Sequence, residues 1–393
     1  MIRDSHKKSL RIGMLGLYGM PLPQLHFTGF ETAFGEIAPR LVAVGHDVTI
    51  YCRASNYPAA LRVDEYKGVR LKYVPSPGGK NLSGLVATLL ASIHALVLGR
   101  YDLVFFVNVG MGHHAAVCRI MGARVVMNVD GLDWKRAKWG PLAKFYFRSA
   151  ARSAIRFCNR LVTDAEAMRK FYLDEFGKET TMIAYGAYVE SSENPDVVRQ
   201  FGIEPDDYYL IASRLIPENH ADLIMLGFLE SGTSKKLVVA GGANYDSPFH
   251  RRLREIATDR VIFTGHIHDQ SVIKELHCNC FAYVHGHSVG GTNPSLLKAM
   301  GYGNCILALD TVFNREVLDD TGLFFPKNEH SLAKLMQRVE GDPRLVDDLR
   351  HKGPRRVEKE YSWDKVSDQY DELFREVVSG TYPFKPARDR LRR

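Results

Sequence analysis

Phe281-Ala282-Tyr283-Val284-His285 reads as a short apolar strand, and the chain then runs Gly286-His287-Ser288-Val289-Gly290-Gly291-Thr292-Asn293-Pro294-Ser295-Leu296-Leu297-Lys298-Ala299-Met300. Strand, glycine-rich turn and helix in that order mark a βα unit whose turn faces a ligand. Gly290 and Gly291 let the backbone approach closely, and Ser288, Thr292 and Asn293 add small polar groups. The helix start contributes free N–H groups and the positive end of a dipole, which suit a diphosphate. A turn with only a structural role seldom needs so many small and polar residues together.

Outward from that stretch, short apolar runs alternate with helical segments to both ends of the chain. Before it lie Tyr208 to Ala212, Lys236 to Ala240 and Val261 to Thr264, and after it Cys305 to Leu309. The first half has runs at Leu10 to Leu15, Asp47 to Cys52, Val69 to Val74, Leu103 to Asn108, Arg124 to Val129 and Arg160 to Thr163. This pattern predicts an α/β protein of two Rossmann-like, doubly wound parallel-sheet domains facing each other across a cleft. Glycine, serine and proline between Tyr185 and Asp196 place the boundary near residue 190. The expected division is 1–190, 191–361, a helix at 362–378 capped by Ser362 and packing back on the first domain, and a basic tail at 379–393.

Bulk properties agree with a globular protein of this size. The 393 residues are 45% hydrophobic and 25% charged, which excludes a fibrous or mainly disordered chain. Cys278 and Cys280 alone are close among the six cysteines, without a second pair at zinc spacing, so free thiols in a reducing cytosol are expected and no metal site. The start, Met1 to Lys8, lacks the apolar core of a signal peptide. Leu82 to Gly99 is uncharged but falls short of a spanning segment and contains Ser83, Ser92 and His94; a buried crossover helix is predicted there. A net charge of +7 points to an anionic partner of some kind.

A second candidate turn follows the first strand, Gly16-Leu17-Tyr18-Gly19-Met20-Pro21, leading to a helix opened by Gly29-Phe30-Glu31-Thr32. Gly16 and Gly19 fit close backbone approach, or a plain strand-to-helix turn. It is not the dinucleotide fingerprint, and the next strand ends Tyr51-Cys52-Arg53 with no acid to hold a ribose, so a nicotinamide enzyme is disfavoured.

The Gly290 to Met300 segment resembles the donor loop of glycosyltransferase family 4. Gly29-Phe30-Glu31-Thr32, Val129-Asp130-Gly131-Leu132-Asp133-Trp134-Lys135-Arg136-Ala137-Lys138-Trp139, Ala184-Tyr185-Gly186-Ala187 and Arg214-Leu215-Ile216-Pro217-Glu218-Asn219 resemble a subgroup containing bacterial rhamnosyltransferases of surface-polysaccharide synthesis. The resemblance implies the GT-B fold and metal-independent, retaining transfer. A nucleotide-diphosphate sugar would be the substrate, with no cofactor. The donor would bind to the C-terminal half, and a lipid-linked or glycan acceptor to the N-terminal half. It also implies that Arg214 faces the diphosphate and that His113 or His114 lies near the donor sugar.

Two departures matter. The family carries glutamates eight residues apart where this chain has Gly290 and Lys298, and a lysine donates hydrogen bonds without accepting any. With those acids missing, Glu31, Asp130, Asp133 and Glu218 are the remaining carboxylates, and Asp130, at a strand end, is the first choice for the acceptor hydroxyl. Helix capping is the plainer role for Asp133 and Glu218. Lys298 also keeps open a catalytically impaired, nucleotide-binding relative.

Lys144, Arg148, Arg152, Arg156 and Arg160 recur every fourth residue, after Lys135, Arg136 and Lys138 and among Phe145, Tyr146, Phe147 and Phe157. Together with Trp134, this basic stripe is expected to meet an acidic acceptor or an anionic membrane surface, or to be a solvated face over buried aromatics. The expected location is the cytoplasm, peripheral to the inner face of the membrane. No base-reading module accompanies the charge, so nucleic acid is not an expected partner.

Overall fold

The computed structural model describes residues 8–25, 29–77, 79–132, 134, 139–242 and 248–381. Two compact units divide the chain. In the first, strands β1 (Arg11–Leu15), β2 (Asp47–Arg53), β3 (Glu65–Tyr66), β4 (Val69–Val74), β5 (Leu103–Val107), β6 (Val125–Asn128), β7 (Arg160–Thr163) and β8 (Thr181–Met182) form one sheet. Its order is β3-β4-β2-β1-β5-β6-β7-β8, parallel except for the small β3–β4 pair. Crossovers are α1 (Phe30–Ala43), α2 (Gly79–His94, continued by a π-helical turn at Ala95–Gly99), α3 (Gly112–Ile120), α4 (Pro141–Phe157) and α5 (Glu166–Phe176). β1, β5 and β6 are buried nearly end to end, as strands covered on both faces must be.

The second unit contains β9 (Tyr208–Ala212), β10 (Lys236–Ala240), β11 (Val261–Gly265), β12 (Ala282–His285), β13 (Ile306–Leu309) and β14 (Leu323–Phe325), all parallel, in the order β11-β10-β9-β12-β13-β14. Its helices are α6 (Ala221–Ser231), α7 (Pro248–Ile256), α8 (Gln270–Cys278), α9 (Pro294–Gly301), α10 (Val312–Leu318), α11 (Glu329–Glu340) and α12 (Pro343–Glu360). Ile224, Met225 and Phe228 of α6 pack with Leu332, Met336 and Val339 of α11 over Tyr209, Leu237 and Val239. In both sheets the winding reverses once, between β1 and β5 and between β9 and β12. Such a switch point opens a crevice outside the carboxyl ends of the strands.

The last helix, α13 (Trp363–Ser379), belongs to the first unit. Tyr370 and Phe374 sit 5.7 and 5.5 Å from the ring of Phe105, and Asp371 pairs with the buried His46 at 2.5 Å. The chain enters the second unit at Tyr185, ahead of the boundary read at residue 190. Ala187 N–H donates to Tyr361 O at 2.8 Å and Glu190 N–H to Gly301 O at 3.3 Å, which ties this segment to the second unit.

Three sequence expectations need correction. Leu82 to Gly99 is a crossover helix, but it is not buried: Leu82, Leu89, Ile93, Val97 and Leu98 are exposed. Arg160 leaves the basic helix and starts β7, and Phe145 and Phe157 are exposed rather than buried. β3, β8 and β14 went unread, because strands of two or three residues are too short to show a period. All six cysteines are free, and five are buried.

Candidate active site

At the second unit's switch point, the loop after β9 and the loop after β12 are held together by named bonds. Ser288 donates twice to Glu218 O, from its N–H at 3.1 Å and its Oγ at 3.0 Å. His220, with φ of 50°, turns the first loop into α6 and lies 2.9 Å from Gly286 O through Nδ1. Gly286 is obligatory there, since a Cβ would collide with the Asn219 carbonyl. From the next crossover, Asn314 Nδ2 donates to His287 O at 3.1 Å and to Leu309 O at 2.8 Å.

These bonds leave a turn with open donors. The N–H groups of Gly290 and Gly291 reach no acceptor among the described residues. Thr292 is buried, and Asn293 caps α9, its Oδ1 accepting from Ser295 N–H at 2.9 Å and Ser295 Oγ at 2.7 Å. Arg214, just past β9, is exposed and makes no ion pair among the described residues. Its carbonyl accepts from Asn219 Nδ2 at 2.8 Å, which fixes the backbone under a free guanidinium. Glu218 places its backbone in the loop contact and leaves its carboxylate without a partner among the described residues.

His287 lies over His285 with ring centroids 4.3 Å apart and planes 10° from parallel. Burial first, then Arg214 and His220, push its pKa down to about 3, so the ring is neutral at physiological pH. Its Nδ1 is buried and has no partner among the described residues, and the ring lines a pocket with Gly290, Gly291, Thr311 and Asn314. Two open amides, an arginine without an ion pair and a buried polar edge lie in one crevice, and groups of this kind bind phosphate oxygens.

The first unit's switch point is built differently. Gly16 has φ of 94°, and a Cβ there would collide with Val107 O; one at Gly19 would collide with the Tyr57 hydroxyl. Glu31 is buried at the start of α1 and accepts from Tyr18 N–H at 2.9 Å. Burial raises its pKa, against the opposing pull of the Tyr18 and Glu31 amides and of Arg53. Arg53 in turn lies 4.3 Å from the centre of the Tyr18 ring. Glu31 therefore braces the loop after β1. Asp130, half-buried past β6, donates its N–H to Asn128 Oδ1 at 2.9 Å.

His113 and His114 open α3. His113 Nδ1 is 2.9 Å from Ser153 Oγ and its ring is 5.5 Å from that of Tyr146, so it joins α3 to α4. Burial, then His113, lowers the pKa of His114, partly offset by the Leu85 backbone. Trp134 packs 6.5 Å from Phe171 and 6.4 Å from Phe176. Arg148 pairs with Glu175 at 3.1 Å, and Lys144 is half-buried. Asp133, Lys135, Arg136 and Lys138 lie outside the described residues.

Comparison with known proteins assigns both units. Residues 28–186 match the glycosyl transferase 4-like domain, and residues 195–356 match glycosyl transferases group 1. The chain is a glycosyltransferase. Its fold is similar to that of sucrose-phosphate synthase from Thermosynechococcus elongatus, with a TM-score of 0.78 at 17% identity over 94% of this chain and 99% of that one. Anabaena HepE, in complex with UDP and glucose, gives 0.74 at 16% identity over 93% and 99%. A glycosyltransferase from Rickettsia africae gives 0.73 at 12% identity over 95% and 99%. The two Rossmann-like units are thus those of the GT-B fold.

In this glycosyltransferase the two departures have physical settings. Gly290 holds φ of 124° with nothing within 4 Å of where a Cβ would stand. A glutamate there has room, but L side chains rarely adopt that backbone. Lys298 donates from Nζ to Gln270 Oε1 at 3.2 Å. Burial pushes its pKa below the usual lysine range, and Glu190 works in the other direction. Sequence reasoning missed His220, His285, His287, Asn219 and Asn314. His287 lies inside the glycine-rich loop, His285 ends its strand and Asn219 ends the Arg214 motif, but none of these types carried a role by itself.

Proposed function

We propose that this glycosyltransferase moves a hexose or deoxyhexose, with rhamnose from deoxythymidine diphosphate rhamnose as the first candidate, onto a lipid-linked or polysaccharide acceptor in bacterial surface-glycan synthesis. Transfer retains the anomeric configuration, needs no metal, and takes place at the cytoplasmic face of the membrane. The crevice between β9 and β12 carries this reading, because the open Gly290 and Gly291 amides share it with the unpaired Arg214. As the bond from the anomeric carbon to the diphosphate breaks, charge grows on the leaving oxygen. Fixed N–H donors and a guanidinium stabilise that charge more than the ground state. A cation held by the protein replaces the role a metal would have.

Asp130 receives the acceptor hydroxyl's proton as the new bond to the anomeric carbon forms. His287, being neutral, lines the donor loop without adding charge. A thymidine donor suits Lys298, because deoxyribose has one hydroxyl to satisfy where ribose has two, and lysine supplies no acceptor. The HepE complexes with UDP and with UDP-glucose support a nucleotide-sugar donor here.

The test is a panel of nucleotide sugars with the purified chain, followed by NMR of the product's anomeric proton. Transfer or donor hydrolysis that persists in EDTA, retains configuration and falls at least about 100-fold in Asp130→Asn is the expected result. An inverted product or a metal requirement overturns the mechanism. No turnover with any donor, alongside intact nucleotide binding, replaces it with the impaired relative.

A further inference from the structure

Helices α2, α3 and α4 are inside out. Among the described side chains, every buried residue of α2 and its π-helical turn is small: Ala87, Thr88, Ala91, Ser92, Ala95 and Gly99. In α3 the buried residues are Gly112, Ala115, Ala116 and Cys118, and in α4 they are Ala150, Ala151 and Ala154. The large apolar residues point the other way. Ile93 is 51% exposed, Val97 68%, Ile120 67%, Met121 68% and Leu142 83%. By contrast, α13 buries Trp363, Tyr370, Leu373 and Phe374, the ordinary arrangement for a helix on a sheet. Small residues at packed faces with large apolar residues outward is the pattern of helices that meet lipid.

The exposed residues form continuous stripes. Leu89, Ile93 and Val97 are spaced by four along α2, and Val117, Ile120 and Met121 lie one turn apart at the end of α3. An apolar recess lined by Leu89, Ile93, Leu96, His113, His114 and Val117 joins the two helices. Among the described residues, Leu82–Gly99 alone has the length and composition of a membrane span, and only 39% of it is buried. Its small residues pack on the sheet, so it lies against the unit instead of crossing a bilayer.

Charge identifies what covers this face. From Tyr66 to Thr163 the sequence has fifteen lysines and arginines against three aspartates. Arg100 follows the last turn of α2, and Arg119 and Arg124 bracket Ile120 and Met121. None of the three forms an ion pair among the described residues, nor do the exposed Arg152 and Arg156 of α4. We infer that the exposed apolar face of α2 and α3, bordered by Arg100, Arg119 and Arg124, docks into the headgroup region of an anionic bilayer. Apolar side chains then enter the acyl boundary while the guanidinium groups meet lipid phosphates. This deepens the reading of a membrane-side acceptor and assigns the surface that meets the membrane.

The experiment is flotation of the full chain with phosphatidylcholine vesicles, with and without 30 mol% phosphatidylglycerol, in the absence of donor and acceptor. Expected are binding to the anionic vesicles only, a loss of at least tenfold in Ile93→Glu/Ile120→Glu, and about fivefold per charge in Arg100→Gln/Arg124→Gln. The surface positions make unchanged melting temperatures the expected control, and the arginine pair tests the same face without touching its apolar part. Failure of the wild type to float, or equal binding by both double variants, overturns the inference. So does a dimer in sedimentation velocity that Ile93→Glu/Ile120→Glu dissociates while vesicles go unbound. None of these outcomes bears on donor turnover, which is measured separately with a soluble acceptor.

Discussion

Two glycines with positive φ separate two reasons for using the residue. At Gly16 both conformation and space forbid a side chain, because Val107 O occupies the place of a Cβ. At Gly290 the space is empty and only the backbone angle objects. Gly290→Ala is therefore expected to cost about 1–2 kcal/mol and Gly16→Ala clearly more, read from urea unfolding midpoints. Equal costs would contradict the loop geometry. At Arg214 the expected loss falls on the ligand: Arg214→Ala weakens nucleotide-diphosphate binding by about 10- to 100-fold in calorimetry, and Arg214→Lys recovers only part of it. Gly290, Gly291, Ser288, Asn293 and Arg214 were legible because glycine, hydroxyl and guanidinium chemistry is local. His220 and Asn314 were not, since each acts on a carbonyl supplied by another loop, such as Gly286 O, 66 residues from His220.

Elements divide by where their stabilisation comes from. β9, β10 and β13 announce themselves as apolar runs, and α9 by its Asn293-Pro294 start. The attachment of α13 rests on pairing across more than 300 residues. Leu10 N–H donates to His46 Nδ1 at 3.0 Å, which puts the ring proton on Nε2, facing Asp371. Burial opposes ionisation of Asp371, but His46 and Arg375 outweigh it and its pKa is lowered overall. A lowered carboxylate pKa adds stability that is present above its unfolded value, near 3.9, and disappears as pH falls through the folded value. Asp371→Asn should melt below the wild type at pH 7, and the gap should close below about pH 4. A gap that does not narrow at all as pH falls below about 4 would assign the effect to packing.

At the scale of the molecule, two units give two stability problems, and a ligand held by one stabilises that one. Saturating donor at about 100 times its Kd adds about 2.7 kcal/mol, which for a unit of this size raises its melting temperature by about 5–10 °C. Differential scanning calorimetry should show the transition of the second unit moving while that of the first stays within about 1–2 °C. Movement of the first transition alone would relocate the donor site.

The sequence by itself determined that alternating strands and helices build two parallel sheets, and that one glycine-rich turn suits an anion, because periodicity and backbone freedom are properties of neighbouring residues. Tertiary structure alone decided that β9 and β12 lie side by side, so that Ser288 meets Glu218 from 70 positions away. It also decided which face of α2 turns to the sheet. A helical period says that a helix has two faces, but only packing against a particular sheet selects Ala87, Ala91 and Ala95 for the inside and leaves Ile93 and Val97 in the open.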